Sequence, residues 1–172
     1  MSKKDQFLFH EVQYVRQFKL IFILLLGWLI WMFVIAGFMF YDLILKPEQI
    51  DWTETLIGFT AMGFGIILLI HLCFFTRMIT EVTPKGLFVR FIPFHFRMKE
   101  IDLKKVVSLE AKQYRPIREY GGWGIRVGWK KKVYNVFGKE GVEMVYKEGN
   151  KLLIGSQRAE ELAKAIQSIL KK

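Results

Sequence analysis

Two long stretches without a charged side chain dominate the first half of the chain, Leu20 to Phe40 and Thr55 to Thr76, the second bounded by Glu54 and Arg77. An α-helix rises about 1.5 Å per residue, so about 20 apolar residues cross a hydrocarbon core of roughly 30 Å. The pattern predicts a transmembrane hairpin with spans over about residues 20–40 and 55–76, preceded by a leader of residues 1–19. The first run is too long for a secretion signal and no A-x-A-like site follows it, so a retained helix is expected.

Beyond Arg77 the period shortens to brief apolar stretches separated by turn residues, the pattern of antiparallel strands. Met78–Val82 and Leu87–Phe91 flank the turn Thr83-Pro84-Lys85-Gly86, and further strands are predicted over Phe96–Ile101 and Val106–Tyr114. Arg115 to Gly122 contains Pro116 and Gly121-Gly122 and reads as a loop. Trp123, Ile125, Val127 and Trp129 alternate with Gly124, Arg126 and Gly128, which predicts a half-buried strand. Val133–Phe137 and Val142–Lys147 read as a hairpin around Gly138-Lys139-Glu140-Gly141, and Glu148-Gly149-Asn150 turns the chain into Lys151–Ile154. Ser156 is placed to cap a final helix with Leu162, Ile166, Ile169 and Leu170 on one face. The expected fold class is a membrane α-helical hairpin plus an all-β or α+β soluble domain over residues 77–172. That domain should hold about seven antiparallel strands and one C-terminal helix.

This order of elements resembles the pleckstrin-homology-like architecture, a sandwich or barrel closed at one end by its helix. The resemblance extends to bacterial membrane proteins of unknown function in which two spans precede such a domain. It is carried by Glu81-Val82-Thr83-Pro84-Lys85-Gly86-Leu87, Gly122-Trp123-Gly124-Ile125-Arg126 and Gly155-Ser156-Gln157-Arg158. The resemblance implies a fold and no established chemistry.

Charge then orients the hairpin. Lys3, Lys4, Arg16 and Lys19 precede the first span, and Arg77, Lys85 and Arg90 follow the second. The connector has Lys46 against Asp42, Glu48, Asp51 and Glu54. Short cytoplasmic segments retain Lys and Arg, so both termini are expected in the cytoplasm and residues 46–53 outside the cell membrane. Tyr41 and Trp52 would anchor the outer interface. The single cysteine, Cys73, excludes an internal disulfide and fits a reducing compartment.

Within the spans, Trp28 and Trp31 are bulky while Gly58, Ala61, Gly63 and Gly65 are small, and Ala61 to Gly65 has the small-xxx-small spacing that lets helix backbones approach. These residues predict close packing of the two helices, with Trp31 at the depth of Gly65. His71 is the sole ionisable group within the spans and lies near the cytoplasmic end, where it can reach water or headgroups. A proton relay would need further titratable partners there.

No nucleophile-and-base spacing, metal motif or phosphate loop accompanies His95 or the Gly121-Gly122-Trp123-Gly124 stretch, so neither a catalytic activity nor a cofactor is expected. What stands out is charge. The chain carries a formal net charge of +10, and from Arg77 onward 21 Lys or Arg face 10 Asp or Glu. Lys130-Lys131-Lys132, with Arg115 and Arg118, is the candidate docking patch for anionic headgroups, because a turn would project consecutive lysines together. A solvated surface that merely follows the positive-inside bias is the competing account. The expected function is therefore a non-enzymatic, membrane-anchored binding module for anionic lipid or a partner protein. The alternative is a structural or assembly subunit that binds another membrane protein or a second copy. Nucleic acid is disfavoured because no recognition motif accompanies the lysines.

Overall fold

In a computed structural model that describes residues 7–15, 19–45 and 52–171, the apolar runs form helices α1 (Lys19–Leu45) and α2 (Trp52–Phe75). Both are long and apolar enough to cross a membrane, over Leu25–Leu45 and Trp52–Leu72. Only 6% of the first stretch and none of the second is buried inside the protein. A core helix of a soluble protein would bury such a surface, whereas a bilayer covers it. Lys3, Lys4, Arg16 and the connector over residues 46–51 lie outside the described residues.

The two helices meet along a seam. Leu25, Trp28, Met32, Ile35 and Met39 of α1 are at least partly covered, as are Thr55, Gly58, Met62, Gly65, Leu69 and Leu72 of α2. Spacings that alternate between three and four residues give the seven-residue repeat of shallow, left-handed helix packing. Trp28, not Trp31, fills the groove: a Cβ on Gly65 would stand 2.8 Å from Trp28 Cζ2, and one on Gly58 would stand 3.5 Å from Met39 Cε. Trp31 and Ala61 face outward. The contact lies about one helical turn from the position that aligning the ends of the uncharged runs predicts, because side-chain packing along the seam and not the limits of the apolar runs sets the register. Gly65→Leu should therefore destabilise the hairpin by about 2 kcal/mol through overpacking, and Trp28→Ala should recover part of the loss. Titration of the detergent-solubilised chain with a denaturing detergent measures this, with the outward-facing Leu68→Ala as the near-neutral comparison. Equal losses from Gly65→Leu and Leu68→Ala would remove the contact.

The soluble domain begins before the helices, not after them. Phe9–Tyr14 forms strand β1 and pairs antiparallel with β2 (Arg77–Thr83), register Phe9 with Val82 and Tyr14 with Arg77. The hairpin is thus inserted between neighbouring strands of one sheet, and part of the leader belongs to the domain. Strands β3 (Gly86–Ile92) and β4 (Lys99–Ile101) complete a four-stranded sheet in the order β1-β2-β3-β4. The predicted third strand over Phe96–Ile101 is shorter, because residues 93–98 form a loop.

The second sheet holds β5 (Val106–Gln113), β6 (Gly124–Gly128), β7 (Lys131–Asn135), β8 (Glu140–Tyr146) and β9 (Lys151–Gly155), in the order β5-β8-β9-β7-β6. The described residues form nine strands, and the two sheets do not close into a barrel. The hairpin expected between β7 and β8 is absent: β9 lies between them, parallel to β7 and antiparallel to β8. Five residues of the expected loop form a short helix, α3 (Pro116–Tyr120), with Pro116 at its start and Gly121 in a left-handed conformation at its end.

Helix α4 (Ala159–Leu170) buries Leu162 and Ile166 against both sheets, while Leu170 is exposed. Ser156 stands two residues before the cap position. Its hydroxyl accepts the Arg158 N–H at 3.0 Å and donates to Glu11 Oε2 at 2.6 Å, joining the helix entry to β1. The core between the sheets comprises Met78, Val82, Leu87, Val89, Tyr134, Ile154 and their neighbours.

Candidate functional site

The β6–β7 hairpin turns through two residues, Trp129 and Lys130, and Lys130 takes a left-handed φ of 55°. Its carbonyl accepts the Lys151 N–H at 2.7 Å, which ties the turn to the start of β9. Lys131 and Lys132 are the first residues of β7, and successive strand residues point to opposite faces. The three lysines therefore do not project together as the sequence suggested. Lys130 and Lys131 are exposed, whereas Lys132 is half-buried with its ammonium 5.0 Å from the Tyr134 ring centre. Lys151 joins them across the parallel register that pairs it with Lys131. Together these lysines border an open basin of about 390 Å³, floored by Val127, Tyr146 and Leu152.

Neighbouring cations are partly committed to acids. Lys105 pairs with Glu148 at 3.0 Å on the basin's rim, a contact that raises the Lys105 pKa and lowers that of Glu148. Glu143 is buried and binds Lys112 at 2.9 Å and Lys151 at 3.5 Å. Burial pushes its pKa upward, but the hydrogen bond and charge of Lys112, with Lys151, outweigh that and hold the carboxyl below its ordinary range. Tyr120 donates to the same carboxylate at 3.5 Å, and burial followed by the Glu143 charge pushes its pKa up to about 12. This group is an ion-pair network that ties three strands to α3. Among the described residues, Lys130 and Lys131 make no ion pair, as is also true of exposed Lys104, Lys139 and Lys164, but Lys130 and Lys131 are the two exposed unpaired lysines that border the basin.

Arg115 and Arg118 lie elsewhere. Arg115 precedes α3, where its N–H donates to Glu119 Oε1 at 2.8 Å, and Arg118 is within the helix. α3 leads into the far end of β6, where the Gly124 N–H donates to Asn135 Oδ1 at 2.9 Å and the Asn135 amide donates to the Tyr114 hydroxyl at 2.9 Å. Four strand residues, roughly 13 Å, separate Asn135 from Lys131. The arginine pair and the lysine turn are thus at opposite ends of one hairpin.

The loop over residues 93–98 supplies what the sequence reading missed. The His95 N–H donates to Phe91 O at 2.7 Å, and His95 Nδ1 accepts the Phe91 N–H at 3.3 Å. The His95 ring stands 5.8 Å from that of Tyr134, the same ring that the Lys132 ammonium overlies. Burial, then the charges of Lys99 and Lys132, lower the His95 pKa, which keeps the imidazole neutral and able to accept. The run Phe94-His95-Phe96-Arg97 carried a signal of alternating aromatic and polar side chains, but its turn could not be separated from a strand by alternation alone.

Among the described residues, no three His, Cys, Asp or Glu side chains come together as a metal site. Chemically, the arrangement offers unpaired ammonium groups above an apolar floor, with His95 engaged by the backbone. No protein-family model, curated protein or solved structure matches the chain.

Proposed function

We propose that the protein is a non-enzymatic, membrane-anchored binding module whose cytoplasmic domain docks on anionic lipid headgroups through Lys130 and Lys131. The observation that carries this reading is the pair of exposed, acid-free lysines on a two-residue turn bordering an open basin. The cation bias on either side of the hairpin supports the cytoplasmic orientation, and the β1–β2 ladder, which pairs Tyr14 with Arg77, supports both domain-side helix ends lying on one side of the membrane. The C-terminal helix after two packed sheets supports a pleckstrin-homology-like relationship, although nine strands and a parallel β7–β9 pair depart from the expected plan. Two cations near an anionic surface contribute about 2 kcal/mol before salt screening, enough to orient a domain already held there by its anchor.

Lysine acetylation of the full chain in nanodiscs tests this. Lys130 and Lys131 should be protected in discs containing anionic lipid relative to zwitterionic discs, and protection should fade as salt rises. Equal reactivity in both lipids would move the preference to a protein partner. A second reading, an assembly subunit, is favoured by Trp31 and Ala61 facing outward from the hairpin, where another membrane helix could pack. Co-purification of a stoichiometric membrane partner in mild detergent would support it.

A further inference from the structure

Thr76 is the single residue between the end of α2 at Phe75 and the start of β2 at Arg77. Helix α2 runs three residues past Leu72 at about 1.5 Å each and Thr76 adds at most about 3.5 Å, so the end of the domain that receives the helix stands within roughly 10 Å of the membrane. That end can be mapped through the first sheet. Tyr14, Arg77 and Ile92 form one row across β1, β2 and β3, and the loop over residues 93–98 leaves directly from it.

The second sheet reaches the same end. Gln13, next to Tyr14, donates its side-chain N–H to Gly155 O at 2.9 Å at the end of β9, and the His95 ring meets Tyr134 of β7. Strand β6 lies beyond β7 at the sheet's edge, and among the five strands it is farthest from β5 and β8, on which α4 packs. Val127 pairs with Lys132, whose ammonium lies over the same Tyr134 ring that His95 touches. The outer half of β6 therefore stands beside the 93–98 loop.

Large apolar side chains are exposed at this end: Phe94 is 66% exposed, Phe96 88%, Val127 76% and Trp129 89%. Ile125 packs on the core, Val127 lies two residues further along the same face of β6, and Trp129 follows in the turn. An edge strand with uncovered bulky side chains is an aggregation hazard unless something covers it. Elsewhere in the domain, exposed Leu8, Val107, Ile117 and Leu170 sit on or beside four different elements, as scattered surface apolar residues do. Arg97, Lys99 and Lys130 flank the apolar group. Aromatic rings interleaved with cations are what the layer between headgroups and acyl chains accepts.

We propose that Phe94, Phe96, Val127 and Trp129 form a membrane-seated rim, which enters the headgroup layer of the leaflet from which α1 and α2 emerge and fixes the domain's tilt. The proposal rests on the reading that the helices cross the bilayer, but not on headgroup docking by the lysines. Insertion of apolar side chains is not driven by lipid charge, so the rim should be seated in zwitterionic and anionic bilayers alike.

The test uses the full chain in nanodiscs, with Cys73→Ser and one spin label introduced at Phe96→Cys, Trp129→Cys or, as an aqueous control on the outer face of α4, Lys164→Cys. Collision with oxygen, which partitions into lipid, is compared with collision with a water-soluble nickel complex. Labels at positions 96 and 129 should favour oxygen several-fold over the label at 164, in both lipid compositions and at high salt. Labels at 96 and 129 as aqueous as the one at 164 would overturn the proposal, as would insertion seen only with anionic lipid at low salt. As a check that does not depend on the label, Phe96→Asp with Trp129→Asp should increase hydrogen exchange of the 93–98 loop in nanodiscs but leave it unchanged in detergent, where the fold remains as the control. Lysine protection reads headgroup docking separately, so either idea can fail alone.

Discussion

Deleting residues 1–14 is expected to unfold the soluble domain rather than trim a tail. β1 contributes Phe9, Glu11 and Gln13 to the interior. Glu11 accepts hydrogen bonds from the Ser156 hydroxyl at 2.6 Å and the Gln157 N–H at 3.0 Å. Gln13 bonds the Gly155 carbonyl, while the Arg158 guanidinium donates to His10 O at 2.6 Å and lies 4.7 Å from the Phe9 ring. Removing a buried Phe alone costs about 3–5 kcal/mol, and each buried polar group left without its partner adds about 1–3 kcal/mol. The total reaches the whole stability of an ordinary domain, about 5–15 kcal/mol. Limited proteolysis of the detergent-solubilised full chain should leave the residue 77–171 region largely intact, whereas in the truncated chain it should be degraded. Circular dichroism should show that the helical signal of α1 and α2 survives. Glu11→Ala, a milder change, should lower stability by about 2 kcal/mol. A truncated chain whose domain resists protease as the full chain does would show that β1 is dispensable. A fragment beginning at Arg77 is for the same reason a poor reagent for binding studies.

β1 was illegible because its inward face is largely polar. In Phe9-His10-Glu11-Val12-Gln13-Tyr14 the buried positions are Phe, Glu and Gln, so period-two hydrophobicity never appears. The partners that make those polar residues stable in the interior come from positions 155–157, at the other end of the chain. The helices, by contrast, were plain from the absence of charge, and the β2–β3 hairpin from its Pro-Lys turn, because both signals are local. The insertion of β9 between β7 and β8 was hidden for a related reason: a short glycine-containing loop predicts pairing of the strands it joins, and only the tertiary fold shows a third strand between them. At the candidate site the sequence located the free lysines but not their directions, since the turn ends at Lys130 and the strand alternation separates the next two. It also read the bulky face of β6 as half-buried. Alternation identifies a face and not what covers it, and here Val127 and Trp129 extend beyond the core.

The insertion of β9 sets the second large effect. The chain between β7 and β8 has only residues 136–139 with which to pass the end of β9, and this forces backbones together where Gly141 faces Gly155. A Cβ at Gly141 would stand 2.6 Å from Ile154 O and 3.1 Å from Gly155 Cα, both backbone atoms of a strand bonded on its two edges. A Cβ at Gly155 would stand 2.8 Å from Asn135 Cβ and 3.1 Å from the Tyr114 hydroxyl, and Asn135 is itself held by Gly124 and Tyr114. Neither site can yield by rotating a flexible side chain. Gly141→Ala should therefore cost about 3 kcal/mol, the upper part of the overpacking range, and lower the domain's melting temperature by about 15 °C. Gly155→Ala should be comparable, and because both changes displace the same end of β9, the double variant should lose less than the sum. Thermal melts of the strand signal in detergent measure all three, with exposed Lys139→Ala as the near-neutral control. A Gly141→Ala variant that melts with the wild-type chain would mean that β9 does not approach β8 this closely. Because β9 sets the register of Lys151 against Lys131, the parallel pairing at the basin's edge would then lose its support as well.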